Sequence, residues 1–112
     1  MFHFLFTPTC MFLCSFLDLC LIFLDSTSTF SFASPPTDGR VFFNADLNWS
    51  FGAAPGAYDF LTVGLHELWH ALGLADDSSV KGAVMWPYTG MNETRVLQDD
   101  DVHGIEALYS VK

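Results

Sequence analysis

Beyond Cys20 the sequence has no cysteine. Its three cysteines, Cys10, Cys14 and Cys20, all lie in an apolar N-terminal stretch, so the remainder of the chain forms no disulfide of its own. Cys10 and Cys14 sit in a greasy run without further partners, which argues against a zinc site there. Basic residues are scarce as well: four Lys and Arg against thirteen Asp and Glu give a net charge of −9. Nucleic-acid binding needs a basic surface, and this chain is not built for it. An acidic surface serves solubility first, and it also supplies the carboxylates that calcium sites and zinc-proximal loops require. There is no internal repeat. At 112 residues the chain supports one small domain at most, and a domain of that size has a thin margin of stability.

The apolar content is concentrated at the start. Residues 1–24 are mostly Phe, Leu, Ile, Cys and Met, with Asp18 the only charge. This stretch reads as an apolar leader: a secretory signal peptide, a membrane anchor, or a misjoined segment of a longer gene. No Lys or Arg precedes the apolar run, and Asp18 is costly in a membrane. Residues 25–37 form a Ser/Thr/Pro-rich linker. From Asp25 onward the chain reads as an ordinary soluble domain, whose motif-bearing part is residues 38–112.

Within that domain Pro35-Pro36-Thr37-Asp38-Gly39 signals a turn. Arg40 to Asn44 is β-branched and aromatic and predicts a short strand. Leu47 to Ser50 continues it or pairs beside it, and Phe51 to Ala57 is a loop. Asp59 is a good N-cap for a helix running from Phe60 to Leu72, which Gly73 closes. A turn-rich segment spans Asp76 to Pro87. A second helix is expected from Asp99 to Tyr109, opened by three acidic residues that suit the positive end of the helix dipole. Val102, Ile105, Leu108 and Tyr109 give it one apolar face.

The chemistry lies in His66-Glu67-Leu68-Trp69-His70-Ala71-Leu72-Gly73-Leu74-Ala75-Asp76. Residues four apart on a helix share a face, so the imidazoles of His66 and His70 converge on one metal ion. Glu67 neighbours that face and reaches a water activated by the metal, whose proton it accepts as general base. A catalytic zinc keeps three protein ligands and an open position. The helix supplies two of the three. Gly73 lets the chain turn back so that Asp76 becomes the third, with Asp77 as the alternative. Ligands and the turn that positions them occur together, which makes the extended motif far more specific than HExxH by itself.

On these residues the sequence resembles the metzincins and, within them, the matrixins, most closely the plant-type members. Pro36 to Arg40, Asn44 to Trp49, the His66 to Asp76 string, Gly82 to Pro87 and Asp100 to Tyr109 carry the resemblance, which spans Ser31 to Tyr109. It implies an α+β fold, the C-terminal part of a metzincin catalytic domain: a short twisted sheet, the active-site helix, a Met-turn and a C-terminal helix. The early strands would then be replaced by the apolar leader. It implies that Met85 forms an apolar floor beneath the zinc ligands and that Pro87 helps wall the substrate pocket. Of Asp100 and Asp101, one would tie to a mature N-terminus and the other would support the Met-turn. It implies a zinc-dependent endopeptidase, secreted or held at the cell surface, acting on proteins or peptides.

The sequence also departs from the matrixin pattern. The third ligand is Asp in place of His. Trp69 stands where matrixins have Gly, and an indole there risks overpacking. Leu47 and Asn44 stand at calcium-binding positions, Ser31 and Phe42 at those of structural-zinc histidines. The calcium and structural zinc sites are therefore expected to be lost or weakened. Two functional expectations follow: an active zinc endopeptidase with Glu67 as base, or an impaired remnant with weak zinc binding or none. Association with a membrane through residues 1–24 is a further expectation.

Overall fold

The computed structural model describes residues 30–75 and 77–110, with the backbone of two strands further upstream. Four strands form the main sheet: β1 (Phe12–Cys14), β2 (Cys20–Leu24), β3 (Ser31–Ala33) and β4 (Val41–Asn44), in the order β1-β2-β4-β3. Strand β2 runs parallel to β4, with Leu21 opposite Val41. Strand β3 runs antiparallel to β4, with Phe32 opposite Phe42, and forms the edge. The sheet thus has strands ahead of Ser31, where the family resemblance predicted none. Both lie within the stretch read as a leader; residues 1–11 and 15–19 of that stretch fall outside the described residues. Among the described residues no helix is long and apolar enough to cross a membrane.

Strand β4 follows the two-residue alternation expected of a strand with one buried face. Val41 and Phe43 are each 1% exposed, whereas Phe42 on the other face is half-buried. Phe42 stacks on its cross-strand partner Phe32, ring centroids 4.3 Å apart. The turn between β3 and β4 is closed by the Ser34 N–H donating to the Arg40 carbonyl at 2.8 Å. Arg40 also grips Asp38 through two hydrogen bonds, and this holds the Asp38 carboxyl below its usual range.

A small parallel pair, β5 (Trp49–Ser50) and β6 (Tyr58–Asp59), brings Trp49 into the core. The core consists of Val41, Phe43, Trp49, Val63 and Ala71, with Phe30, Tyr58 and Phe60 packed against it. Phe43 meets Trp49 edge-on at 5.3 Å and Phe60 at 4.7 Å. Each such aromatic contact is worth about 0.5–1.5 kcal/mol beyond the area it buries. The indole N–H of Trp49 donates to the Asn44 carbonyl at 2.8 Å, so the buried ring leaves no polar group unsatisfied.

Helix α1 (Phe60–Ala71) starts where the sequence predicts. The buried Asp59 carboxylate caps it, accepting from the Thr62 N–H at 3.0 Å and the Thr62 hydroxyl at 2.6 Å. At the other end Leu72 is the C-cap, and Gly73 has φ +113°, where an L side chain would be strained. The Gly73 N–H reaches the His70 carbonyl and the Leu74 N–H reaches that of Trp69, the two bonds of a Schellman motif.

Helix α2 (Asp99–Tyr109) also matches its expected span. Its predicted apolar face is only partly covered: Val102, Leu108 and Tyr109 are 39%, 48% and 55% exposed. The helix docks instead through the buried Asp101 and through Gly104, where an added Cβ would lie 3.1 Å from Leu74 Cδ2. Trp69 joins this contact. Its indole is half-buried between the helices, and its N–H donates to the Asp101 carbonyl at 2.9 Å. The indole thus links α1 to α2 by a hydrogen bond.

Candidate metal centre

His66 and His70 lie one turn apart on α1, and the surrounding backbone sets their tautomers. His66 Nδ1 lies 2.8 Å from the Val84 carbonyl, and His70 Nδ1 lies 2.7 Å from the Leu74 carbonyl. A carbonyl only accepts, so each Nδ1 carries the hydrogen, and in the neutral imidazole Nε2 then presents a lone pair. The Leu74 carbonyl is within reach only because the Gly73 turn folds the chain back over His70. The two Nε2 atoms stand 3.1 Å apart. Two lone pairs at that separation repel unless a cation or a shared proton lies between them.

Asp77 adds a third donor. Its Oδ1 is 3.5 Å from His66 Nε2 and 3.3 Å from His70 Nε2. Tetrahedral zinc, with bonds of about 2.0–2.2 Å, sets its donors roughly 3.3–3.6 Å from one another. The three atoms therefore stand close to the positions of donors around one ion, and two imidazoles with a carboxylate suit zinc. Asp76, the first choice for third ligand from sequence, lies outside the described residues. Among the described residues, His66, His70 and Asp77 form the cluster able to hold a metal.

The loop bearing Asp77 is tied down by its neighbour. The Ser78 N–H donates to the Met85 carbonyl at 2.7 Å, and the Ser78 hydroxyl donates to Asp100. Met85 is buried, as expected of an apolar floor. The buried Asp101 carboxylate accepts from the N–H groups of Val84 (2.9 Å), Met85 (2.8 Å) and Gln98 (2.8 Å). It thereby fixes the turn whose Val84 carbonyl orients His66. Such outer partners keep a metal-binding imidazole in the correct tautomer and rotation.

Glu67 is 5% exposed, and its Oε1 accepts from the Ser31 hydroxyl at 2.6 Å. Together with His66, His70 and Asp77 it lines a cleft of about 500 Å³. Strand β3 forms one wall, and Pro87, Tyr88 and Thr89 form another. Arg95 braces this second wall, donating to the Trp86 carbonyl at 3.2 Å and to that of Tyr88. The Ser31 contact was not foreseen from sequence. It joins residues 36 apart, and no local pattern signals it.

Four described positions that the resemblance assigns to structural zinc or calcium, Ser31, Phe42, Asn44 and Leu47, carry residues other than the ligand types expected there. Phe32 and Phe42 face each other with carbon rings, and the Ser31 hydroxyl is committed to Glu67. Asn44 Oδ1 already accepts from the Asp46 N–H at 2.9 Å, and Leu47 offers no ligand atom.

A helix carrying HExxH and closed by a glycine turn, with a buried methionine in a later turn, is the pattern of a metallopeptidase. Comparison with known proteins is more specific. The matrixin family profile matches residues 21–110. Matrix metalloproteinase-2 of Drosophila melanogaster is 44% identical over 84 residues, covering 69% of this chain and 11% of that protein. Metalloendoproteinase 1 of Glycine max is 36% identical over 86 residues, covering 70% of this chain and 28% of that protein. Matrix metalloproteinase-9 of Canis lupus familiaris is 45% identical over 67 residues, covering 60% and 9%. The chain belongs to the matrixin family of metalloproteases and spans between about a tenth and just over a quarter of the length of these relatives.

Proposed function

We propose that the chain acts as a zinc-dependent endopeptidase on proteins or peptides outside the cell or at its surface, with His66, His70 and Asp77 as ligands and Glu67 as general base. The observation that carries this reading is the convergence of two lone-pair Nε2 atoms, 3.1 Å apart, with Asp77 Oδ1 within 3.5 Å of both. Zinc, when bound, supplies Lewis-acid activation of water and of the scissile carbonyl.

The protein's own groups do the rest. The Nδ1–H bonds to Val84 and Leu74 hold both imidazoles in the ligating tautomer. With Oε1 engaged by Ser31, Glu67 has Oε2 to accept a proton from water in the cleft and pass it to the leaving amine. The edge strand β3 presents backbone groups along which an extended peptide pairs as an added strand. The aromatic side chains of the cleft, Phe30, Phe32, Tyr58 and Tyr88, together with Pro87, favour apolar substrate side chains. A net charge of −9 argues against a nucleic-acid partner.

The test is a zinc titration paired with a peptide-cleavage assay on wild type and Glu67→Ala. The expected result is one zinc per chain in both proteins, with cleavage reduced 10²–10⁴-fold in Glu67→Ala, the range set by loss of a general base. A wild-type chain that takes up no zinc reduces the relationship to ancestry and ends the proposal.

A further inference from the structure

We infer that Ser31 is a positioning residue for Glu67, holding one carboxylate oxygen so that the other meets the cleft water. The inference rests on the endopeptidase reading above and extends it to a residue on the opposite wall of the cleft. Terminal carboxylate rotation is a broad, soft torsion, so a glutamate at the end of its chain has no intrinsic aim. Here Ser31 Oγ donates to Glu67 Oε1 at 2.6 Å, within the range of a charge-assisted O–H···O⁻ bond. The donor sits on a rigid element: Ser31 pairs with Phe43 in the sheet. The acceptor sits on α1, the helix bearing both imidazoles, and it is 5% exposed, so water competes little for the bond.

Two consequences follow from this geometry. The bond fixes the rotation of the carboxylate plane, leaving Oε2 with a single direction. It also fixes the width of the cleft at this point, because it ties β3 directly to α1. Both effects act through Glu67, whose Oε1 holds the Ser31 hydroxyl.

The test compares wild type, Ser31→Ala and Ser31→Thr as full chains. Ser31→Ala is expected to lower kcat roughly tenfold, in keeping with the sensitivity of catalysis to small misplacement. KM and zinc affinity should stay within about twofold of wild type. Ser31→Thr, which keeps the hydroxyl, should restore most of the rate. A readout independent of turnover is the infrared carboxylate band of Glu67 in zinc-free protein, assigned by difference against Glu67→Gln. It should shift in Ser31→Ala and stay in place in Ser31→Thr. If wild type cleaves and Ser31→Ala matches its kcat, or if the loss falls on KM or zinc affinity, the inference is overturned and the endopeptidase reading survives. If wild type neither takes up zinc nor cleaves, both fall together.

Discussion

Replacing Asp77 by alanine should cripple zinc binding and leave the fold intact. The Asp77 side chain is 40% exposed, and its contacts are the two imidazole Nε2 atoms at 3.3 and 3.5 Å. An exposed side chain of that kind costs the metal-free protein no more than about 0.5 kcal/mol on removal. For the metal the loss is larger. Even partners outside the ligand shell are worth about 10–100-fold in affinity, so a ligand should be worth about 100-fold or more. At a zinc concentration of about 100 times the wild-type Kd, binding stabilises wild type by about 2.7 kcal/mol. A variant with a hundredfold weaker Kd gains about 0.4 kcal/mol under the same conditions. The difference of about 2.3 kcal/mol corresponds to roughly 10–18 °C in Tm for a domain near 100 residues. The assay is thermal unfolding with and without zinc, beside a competition titration against a chromophoric chelator, on Asp77→Ala and Asp76→Ala. Wild-type behaviour in Asp77→Ala with lost zinc response in Asp76→Ala would refute the geometry and make Asp76 the ligand.

Further outcomes follow from other contacts. Asp101→Ala leaves the N–H groups of Val84, Met85 and Gln98 without their acceptor in a buried position, and should cost about 3–5 kcal/mol in denaturant unfolding. Gly73→Ala forces a side chain into φ +113°, which should cost about 1–3 kcal/mol. It should also weaken zinc binding, because the Leu74 carbonyl would no longer orient His70. Glu93 is held below its ordinary value of 4.5 chiefly by the Gly90 N–H, aided by Arg95. A lowered folded-state value means this stabilisation is full above 4.5 and is lost as pH falls through the lowered value. Because the side chain is 41% exposed, Glu93→Gln should remove no more than about 0.5 kcal/mol at neutral pH and nothing at a pH below both values. A pH series of urea midpoints on the two proteins measures that window.

The helices illustrate how far local pattern reaches. Phe60 and Tyr109, predicted as helix ends, are ends in the structure, because capping and periodicity act over a few residues. Asp59 and Gly73 announce their roles by type and position alone. The apolar face of α2 is a case where periodicity promised more burial than packing delivered: the helix turns its Asp101 and Gly104 inward, and three of its four apolar residues stay well exposed. Trp69 reads as an overpacking risk until the structure shows a site between two helices with an acceptor for its N–H.

By itself the sequence determined the helix that carries the candidate ligands, its cap and its closing turn, since His66, His70, Glu67 and Gly73 are coupled by helical spacing alone. It also determined the family, through the string of residues from the helix to the last turn. Only tertiary structure brings the groups around the site together. Asp77 as third donor, Val84 and Leu74 as the acceptors that set the tautomers, Asp101 beneath the methionine turn and Ser31 against Glu67 all depend on contacts across loops or between distant elements. Adjacent carboxylates look alike in a sequence, and a loop one residue longer or shorter exchanges one for the other. In the structure Asp77 Oδ1 faces both imidazoles.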